Sequence, residues 1–282
     1  MGKIKLVSLD LDYTLINSHH LLSTDHIPFL QKISKDCLVV FASGRPLPAM
    51  VPTANSFGEG VVSYFISNNG SYSVDATMEV FFESIIDDET VLSMIYDAKE
   101  MGVHPHFYGE KEIIAFYESA FTDRDAVVTG LPIRYEMDIE KSVRDRDVHK
   151  LIVMGEPHRM AKYFEHVKKY EAVNPILAKP YFGEIPSKGV DKGSVLQKVM
   201  DKHGIKPEEV IAVGDSQNDI GMIKLAGYGL AMDNAGITVK EASDYVLKIN
   251  NDENLCEVLY ELIQSDMSED VLNKWTYHWS EQ

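Results

Sequence analysis

The chain has 282 residues, and its 45% hydrophobic and 25% charged side chains are typical of a soluble globular protein. Its 44 acidic and 27 basic side chains sum to a formal net charge of −17 at pH 7. Because nucleic acids and anionic membranes are bound through basic surfaces, this charge argues against both as main partners.

Two cysteines, Cys37 and Cys256, are too few for a disulfide framework or a cysteine zinc cluster, and we expect both to be buried thiols. The opening MGKIKLVSLD has no apolar stretch of signal-peptide length. No run elsewhere approaches the ~18 apolar residues of a membrane span. These features predict a cytoplasmic protein, and nothing in the sequence indicates its oligomeric state.

Short apolar runs that end abruptly in polar residues or glycine alternate with helical patterns. The apolar runs lie at residues 4–10, 37–44, 64–70, 210–215 and 228–232. The helical patterns lie at residues 25–35, 191–203, 217–226 and 252–265. Continuous apolar runs are typical of buried parallel strands, so the alternation predicts an open α/β sheet. Functional residues of such sheets lie at the carboxyl ends of the strands. Polar residues at these ends, which we expect to meet at one edge of the sheet, are Asp10, Ser43, Asn68 or Asn69, and Asp215.

Residues 83–186 break this alternation. A helix-like run, DDETVLSMIYDAKEMG, is followed by short strand-like segments and a second helix-like run, HRMAKYFEHVKKY. We expect an α+β domain inserted here into a discontinuous domain made of residues 1–82 and 187–282. Its segment VHPHFYGE alternates polar-tipped side chains on one face of a strand, namely His104, His106 and Tyr108. Such a face is most often solvated, although it would also suit a polar substrate or a metal.

Two aspartates, Asp10 and Asp12, follow the first apolar run in the segment VSLDLDYTL. Aspartate is common in turns because its side chain accepts hydrogen bonds from nearby amides, so the pair alone has a plain structural explanation. A cation would offset their repulsion, and Mg2+ prefers oxygen ligands. The segment AVGDSQND supplies Asp215 after another strand, with Asn218 and Asp219 close behind. The sequence therefore predicts a Mg2+ site.

The pair of aspartates also predicts a reaction. An aspartate is ionised at neutral pH and attacks phosphorus without a base to activate it, so Asp10 would be the nucleophile. Mg2+ would neutralise the carboxylate and the phosphoryl oxygens as they approach each other. Asp12 would protonate the leaving group and later activate water, which explains why two carboxylates are needed.

Phosphoryl transfer also needs hydrogen-bond donors for the equatorial oxygens. Thr14 and Ser43 offer hydroxyls, Gly44 offers an amide, and Lys192 offers an ammonium at the start of a predicted helix, where anions are favoured. Each feature alone is more often ordinary surface chemistry. Their order along the chain, with Asp-x-Asp first and Gly-Asp-x-x-Asn-Asp last, favours a phosphohydrolase.

The segments DLDYTL, ASGR, DKGS and GDSQNDIGMI resemble motifs I to IV of the haloacid dehalogenase (HAD) superfamily of phosphohydrolases. The segments SNNG, GYGLAMDNA and ASDYVL resemble its Cof-type branch, subclass IIB. The resemblance implies a Rossmann-like core with a C2-type cap inserted between the second and third motifs. The 149 residues from Ser43 to Lys192 leave room for that insertion. It also implies a Mg2+-dependent phosphatase of small phosphorylated metabolites, with sugar phosphates first among them.

The resemblance assigns catalytic roles residue by residue. It implies that Asp10 forms an aspartyl phosphate and that Asp12 is the general acid and base. It also implies that Ser43 and Lys192 hold the transferred phosphoryl group.

The resemblance implies a set of metal ligands as well. Mg2+ would be bound by Asp10, the carbonyl of Asp12 and Asp215. Asn218 and Asp219 would support the site or the water ligands of the metal, and Asn218 is also a candidate for phosphate binding.

One residue departs from the family pattern, which usually has glycine where this chain has Tyr13. Either the backbone needs no positive φ at this position or the site is altered. Because Asp10, Asp12 and Thr14 are all present, we expect the tyrosine to reshape access to the site without abolishing its chemistry.

Two alternatives stay open at this point. A phosphomutase would use the same aspartyl phosphate but return the phosphoryl group to a second hydroxyl of the substrate. A non-catalytic phospholigand-binding protein of the same fold would bind its ligand without turnover, and Tyr13 is the only feature that favours it.

Overall fold

The computed structural model describes residues 3–281. Its strands, numbered in chain order, are β1 (Leu6–Leu9), β2 (Leu38–Ala42), β3 (Tyr64–Ser67), β4 (Tyr72–Asp75), β5 (Val80–Glu83), β6 (His104–Tyr108), β7 (Ile113–Ala115), β8 (Ile133–Tyr135), β9 (Lys150–Met154), β10 (Ile176–Lys179), β11 (Phe182–Pro186), β12 (Val210–Gly214), β13 (Tyr228–Ala231), β14 (Tyr245–Leu247) and β15 (Thr276–Tyr277). Its α-helices are α1 (Ile27–Ile33), α2 (Leu47–Asn55), α3 (Asp88–Met101), α4 (Ala120–Thr129), α5 (Ile139–Arg144), α6 (Pro157–His166), α7 (Lys192–His203), α8 (Ile220–Leu225), α9 (Ile237–Ala242), α10 (Leu255–Gln264) and α11 (Glu269–Trp275).

The larger of two compact units holds the chain up to Phe82 and from Asp191 onward. Its nine-stranded sheet has the order β15-β14-β13-β12-β1-β2-β3-β4-β5. Strand β1 lies in the middle and pairs in parallel with both β2 and β12. All four residues of β1 are buried, as the continuous apolar run predicted. The expected α/β core with a central parallel sheet is confirmed.

Helix α7 begins at Lys192 because Asp191 caps it. The Asp191 carboxylate accepts a hydrogen bond from the Ser194 amide at 2.6 Å, and the Ser194 hydroxyl accepts one from the Asp191 amide at 3.0 Å. A Cβ atom at Gly193 would lie 2.4 Å from the backbone of Gly221, in the first turn of α8. The two helices therefore approach each other at glycines, which brings the start of α7 close to the loop that precedes α8.

The second unit, Glu83–Val190, contains a six-stranded sheet of order β10-β11-β9-β6-β7-β8. Neighbouring strands are antiparallel except for the parallel pair of β7 and β8. One face of this sheet packs against helices α3 and α6 through a buried cluster that includes Ile95, Phe107, Leu151, Val153, Phe164 and Ile185. This unit has the expected α+β architecture.

The opposite face of that sheet was predicted to be solvated, but the structure shows it covered at His106. His106 is fully buried, and its Nε2 lies 3.0 Å from Oδ2 of Asp125 on α4. Tyr108 donates a hydrogen bond to the same oxygen, also at 3.0 Å. The prediction of a solvated face is therefore wrong for His106, because α4 covers this position and the Asp125 carboxylate compensates the burial of the imidazole.

Cys37 and Cys256 are free and buried, as predicted. Burial raises the pKa of the Cys37 thiol to about 11, so this thiol is protonated at neutral pH. Within residues 3–281, no helix combines the length and the apolar character needed to cross a membrane.

Candidate active site

Three of the predicted site residues directly follow neighbouring parallel strands. Asp10 follows β1, Ser43 follows β2 and Asp215 follows β12, at the carboxyl ends of the strands. The amide of Asp10 donates a hydrogen bond to the carbonyl of Val213 at 3.0 Å, so the parallel pairing of β1 with β12 extends up to Asp10. The sheet thus brings the polar loops after β1, β2 and β12 to one edge.

A buried ion network lies at this edge. The Nζ of Lys192 is 2.7 Å from Oδ1 of Asp10 and 2.6 Å from Oδ1 of Asp219. Lys192 and Asp219 are fully buried, and Asp10 is only 4% exposed. Charges removed from water in this way need partners, and each of these carboxylates has the ammonium within hydrogen-bond distance.

Asp219 also shapes the loop that carries Asp215. Its second oxygen, Oδ2, accepts hydrogen bonds from the amides of Asp215 and Ser216 at 3.1 and 2.9 Å. A Cβ atom at Gly214 would lie 2.4 Å from Cβ of Asp219, so this close approach requires glycine. The side chain of Asp219 therefore holds Lys192 with one oxygen and the Asp215 loop with the other.

Asp10, Asp215 and Asp219 can each offer a carboxylate oxygen to one point, since these oxygens lie within 4.8 Å of one another. Burial, together with the charges of Asp219 and Asp215, raises the pKa of Asp10 well above its usual range, although Lys192 opposes this effect. Burial and the charge of Asp219 raise the pKa of Asp215 to about 7. The Oδ1 atom of Asp215 is buried without a hydrogen-bond partner among the described residues. This donor set fits a hard divalent cation, which would satisfy that oxygen and offset the excess negative charge.

The raised pKa of Asp215 predicts how stability depends on pH and metal. In the absence of metal, the Asp215 carboxyl loses its proton at about pH 4 in the unfolded chain but at about pH 7 in the folded chain. Between these pH values the folded state binds more protons, so the free energy of unfolding falls as the pH rises toward about 7. A divalent cation bound by this carboxylate would compete with its proton. We therefore expect Mg2+ to raise the Tm, relative to EDTA, more at about pH 8 than at about pH 5.

Thermal unfolding of the wild type and Asp215→Asn at both pH values measures this difference. The gain from Mg2+ should shrink in the variant, which lacks one carboxylate of the cluster. Equal gains at the two pH values in the wild type would contradict the assignment of the cluster as a cation site.

The carboxylate of Asp12 contacts Arg45 and His20. Its carboxylate accepts hydrogen bonds from Nε and Nη2 of Arg45 at 2.8 and 2.6 Å, and Nδ1 of His20 lies 3.6 Å from its Oδ1. Burial alone would raise the pKa of Asp12, but the hydrogen bonds and charge of Arg45 outweigh it and hold the pKa below its usual range. Sequence reasoning did not assign a role to Arg45, although it lies in the FASGRP segment that supplied Ser43.

The remaining predicted residues lie in the same loops. Ser43 is buried, and its hydroxyl accepts a hydrogen bond from the Arg45 amide at 3.1 Å, which leaves Gly44 at the tip of this turn. Thr14 is buried, and its Oγ1 has no hydrogen-bond partner among the described residues. Asn218 donates a hydrogen bond from Nδ2 to Oδ1 of Asn69 at 2.9 Å.

The partner of Asn218 belongs to a strained turn at the end of β3, where Asn68 or Asn69 was expected to lie at the edge of the sheet that carries the site. Asn68, Asn69 and Gly70 have successive positive φ angles of 50°, 58° and 100°. The Asn68 amide donates to the carbonyl of Arg45 at 2.9 Å, and the Asn69 amide donates to the carbonyl of Ser43 at 3.1 Å. The turn Asn68–Gly70 after β3 therefore supports the loop after β2, and strain of this kind is concentrated at functional sites.

The structure decides one of the alternatives left open for Tyr13. Its φ is 62°, so the position does take the left-handed backbone for which glycine is best suited. Its carbonyl accepts a hydrogen bond from Nδ2 of Asn234 at 2.8 Å, which helps to hold this conformation. The effect of the tyrosine on access stays a prediction.

A parallel α/β sheet with a lysine and carboxylates at its carboxyl edge, together with an inserted α+β domain, defines a phosphohydrolase of the HAD type. The family model for haloacid dehalogenase-like hydrolases matches residues 7–259, and the chain belongs to this family.

Relatives cover nearly the whole chain. A haloacid dehalogenase-like hydrolase from Bacteroides thetaiotaomicron has a solved structure with a TM-score of 0.86 and 30% identity, covering 94% of this chain and 100% of that one. The 5-amino-6-(5-phospho-D-ribitylamino)uracil phosphatase YcsE of Bacillus subtilis is 27% identical over 91% of this chain and 94% of its own. A HAD subclass IIB sugar phosphatase shares the fold with a TM-score of 0.78 at 22% identity, covering 94% of this chain and 100% of that one. The protein is therefore an enzyme, a phosphoric monoester hydrolase of the HAD superfamily.

Proposed function

We propose that the protein is a Mg2+-dependent phosphatase of small phosphorylated metabolites, above all sugar phosphates, and that it acts through an aspartyl phosphate on Asp10. The observation that carries the proposal is the buried ammonium of Lys192, 2.7 Å from Asp10 and 2.6 Å from Asp219, next to the further carboxylate of Asp215. This arrangement supports the proposal because Asp10 would then have a fixed positive charge and further carboxylates for a cation beside it as it attacks phosphorus.

Asp10, the Asp12 carbonyl and Asp215 would hold the Mg2+ ion, and Asp219 would support them through its hydrogen bonds to the Asp215 loop. When bound, the ion supplies positive charge that reduces the repulsion between the Asp10 carboxylate and an anionic phosphate ester. Residues 83–186 would form the substrate-selecting cap, with residues 1–82 and 187–282 as the catalytic domain. The predicted cytoplasmic location stays a prediction.

The proposed reaction has two displacements at phosphorus. In the first, an oxygen of Asp10 bonds to phosphorus while the bond to the leaving oxygen breaks, and Asp12 donates a proton to that oxygen. Despite burial, Arg45 lowers the pKa of Asp12 in the free protein, so the negative charge of the bound ester would have to raise that pKa for Asp12 to carry the proton. In the second, Asp12 removes a proton from water as the water attacks phosphorus, and Asp10 is released as a carboxylate. Lys192 and the Ser43 hydroxyl would stabilise the phosphoryl oxygens in both steps.

Further candidate donors to these oxygens are the buried hydroxyl of Thr14, the backbone amide of Gly44 and the side-chain amide of Asn218. The unpartnered Oγ1 of Thr14 supports its inclusion, because a buried hydroxyl without a partner is costly and a phosphoryl oxygen would satisfy it. The contacts of Asn218 with Asn69 and of Ser43 with Arg45 would keep these donors oriented before substrate arrives.

The role of Asp12 predicts a dependence on the leaving group. Asp12→Asn should lower kcat/KM for an alkyl phosphate by about a hundredfold or more, because the alkoxide can no longer take a proton as it leaves. The loss should be smaller for 4-nitrophenyl phosphate, because its phenolate leaves without needing a proton. Steady-state kinetics on both esters measure the difference, and kcat/KM reports the first displacement alone. Equal losses on the two esters would exclude Asp12 as the acid.

The proposed function itself is tested by phosphate release. Inorganic phosphate is measured from a panel of sugar phosphates, nucleotides and cofactor phosphates, with Mg2+ or EDTA, for the wild type and Asp10→Asn. Release that needs both Mg2+ and Asp10 is expected, with sugar phosphates ranked first. Isomerisation of a sugar phosphate without net phosphate release would instead identify a phosphomutase, and binding without turnover would identify a phospholigand-binding protein.

A further inference from the structure

The loop after β1 contains two aromatic residues whose backbones lie in the left-handed region. Tyr13 has a φ of 62° and His20 has a φ of 59°. Side chains with a Cβ atom rarely adopt this conformation because it costs free energy, and such residues persist where the surrounding structure holds them. An aromatic residue at either position therefore calls for a physical reason.

Hydrogen bonds hold both conformations. The carbonyl of Tyr13 accepts from Nδ2 of Asn234 at 2.8 Å. The amide of His20 donates to the carbonyl of Asn17 at 2.9 Å, while Oδ1 of Asn17 accepts from the amides of His19 and Leu21, each at 3.0 Å. These hydrogen bonds therefore hold both residues in their strained conformations.

The strain brings the two rings together beside Asp12. The ring centroids of Tyr13 and His20 are 6.1 Å apart in an edge-to-face arrangement with an interplanar angle of 66°. The Nδ1 atom of His20 lies 3.6 Å from Oδ1 of Asp12. The side chain of His20 is 40% exposed and Tyr13 is half-buried, so the pair presents aromatic surface to solvent at the position of the proposed general acid.

Packing and charge compensation do not account for this pair. Neither ring belongs to the buried core of its domain. Asp12 already accepts two hydrogen bonds from the guanidinium of Arg45, so it does not need His20 as a counter-charge. The remaining role for two partly exposed rings held next to the proposed general acid is contact with the group that this acid protonates.

We propose that Tyr13 and His20 form an aromatic wall that contacts the leaving group of the substrate and selects cyclic sugar phosphates over open-chain ones. This inference rests on the proposed function, since Asp12 must lie within hydrogen-bond distance of the leaving oxygen to protonate it. The leaving group is then beside the wall. A sugar ring offers a flat apolar face to an aromatic ring and has little conformational freedom to lose, whereas an open chain offers less contact and loses more.

The test compares glucose 6-phosphate, whose sugar is closed into a ring, with sorbitol 6-phosphate, its open-chain counterpart reduced at C1. The readout is the ratio of their kcat/KM values in Mg2+. The wild type should favour the cyclic ester, and Tyr13→Gly should lower the ratio by about tenfold, the scale expected for losing one apolar contact with a substrate. His20→Asn should also lower it, since asparagine tolerates the left-handed backbone but has no ring. Tyr13→Phe should retain most of the preference.

A matched control separates the wall from backbone strain. Met78 has a φ of 65° and lies 46% exposed in the turn between β4 and β5. Tyr13→Gly and Met78→Gly should both raise the Tm, because glycine adopts this conformation without a Cβ clash. Only Tyr13→Gly should change the substrate ratio. A wall with a merely structural role would leave that ratio as in the wild type.

The outcomes also separate this inference from the proposed function. If the ratio of kcat/KM values in Tyr13→Gly and His20→Asn equals that of the wild type, the proposed aromatic wall is wrong, but the proposed phosphatase activity is not contradicted. Phosphate release from other esters but from neither sugar phosphate would likewise overturn only the wall. Loss of Asp10-dependent release from every ester on the panel would overturn both.

Discussion

Asp10→Asn is expected to lower kcat by more than about ten-thousand-fold on every substrate, because asparagine has no carboxylate to attack phosphorus. The fold should persist. The amide oxygen of the asparagine can still accept the hydrogen bond from Lys192, and Asp219 remains as the charge partner of that ammonium at 2.6 Å. Phosphate release and a urea unfolding curve, recorded on the same preparation, measure the two effects.

The stability of Asp10→Asn should be equal to or higher than that of the wild type in EDTA. Burial and the neighbouring charges of Asp219 and Asp215 raise the pKa of Asp10, which means that the folded state disfavours its charged form near neutral pH. Removing the charge removes that penalty. Asp36→Asn, at an exposed carboxylate before β2, provides a control in which neither kcat nor the response to Mg2+ should change. Turnover by Asp10→Asn at a tenth of the wild-type rate would exclude Asp10 as the nucleophile.

Much of the site could be predicted because it depends on topology. Asp10, Ser43 and Asp215 follow apolar runs that read as parallel strands, and the carboxyl ends of neighbouring parallel strands meet at one edge. Lys192 could be placed because it lies at the start of the helix predicted for residues 191–203. These inferences need only the order of the elements and the residue at each boundary.

The contacts of Asp12 were beyond sequence reasoning because they depend on side-chain directions. Asp12 and Arg45 lie in loops after neighbouring strands, and spacing alone does not reveal that the guanidinium turns toward that carboxylate. The same holds for Asn69, whose positive φ of 58° lets its amide reach the loop after β2. A signal was present in both cases, since Arg45 directly follows the predicted run 37–44 and Asn69 lies at the polar end of the predicted run 64–70.

The error at His106 has a different origin. Alternation along β6 correctly placed His104, His106 and Tyr108 on one face, but alternation says nothing about what covers that face. Helix α4 covers it and brings Asp125 to within 3.0 Å of His106. A weakly amphipathic helix leaves few signals of where it will pack, so the polar face was read as solvated.

Lys192→Met is expected to reduce both stability and catalysis. The substitution leaves the buried carboxylates of Asp10 and Asp219 without their ammonium, and breaking a buried ion pair in this way costs about 3–5 kcal/mol in the free energy of unfolding. It should also lower kcat by about a thousandfold or more, because the transition state loses a fixed positive charge. Urea unfolding in EDTA and in Mg2+, with phosphate release in Mg2+, measures both losses. The loss of stability should be smaller in Mg2+, which supplies part of the missing positive charge to the same carboxylates.

A second substitution separates the two roles of Lys192. In the double variant Lys192→Met with Asp219→Asn, one uncompensated buried charge is gone, so part of the lost stability should return. Activity should not return, because nothing replaces the ammonium beside the phosphoryl group. Lys198→Met, on an exposed position of the same helix, controls for the loss of a lysine from α7. A wild-type urea midpoint for Lys192→Met would show that the ammonium does not compensate the cluster. Wild-type kcat in the double variant would show that Lys192 stabilises the fold without taking part in phosphoryl transfer.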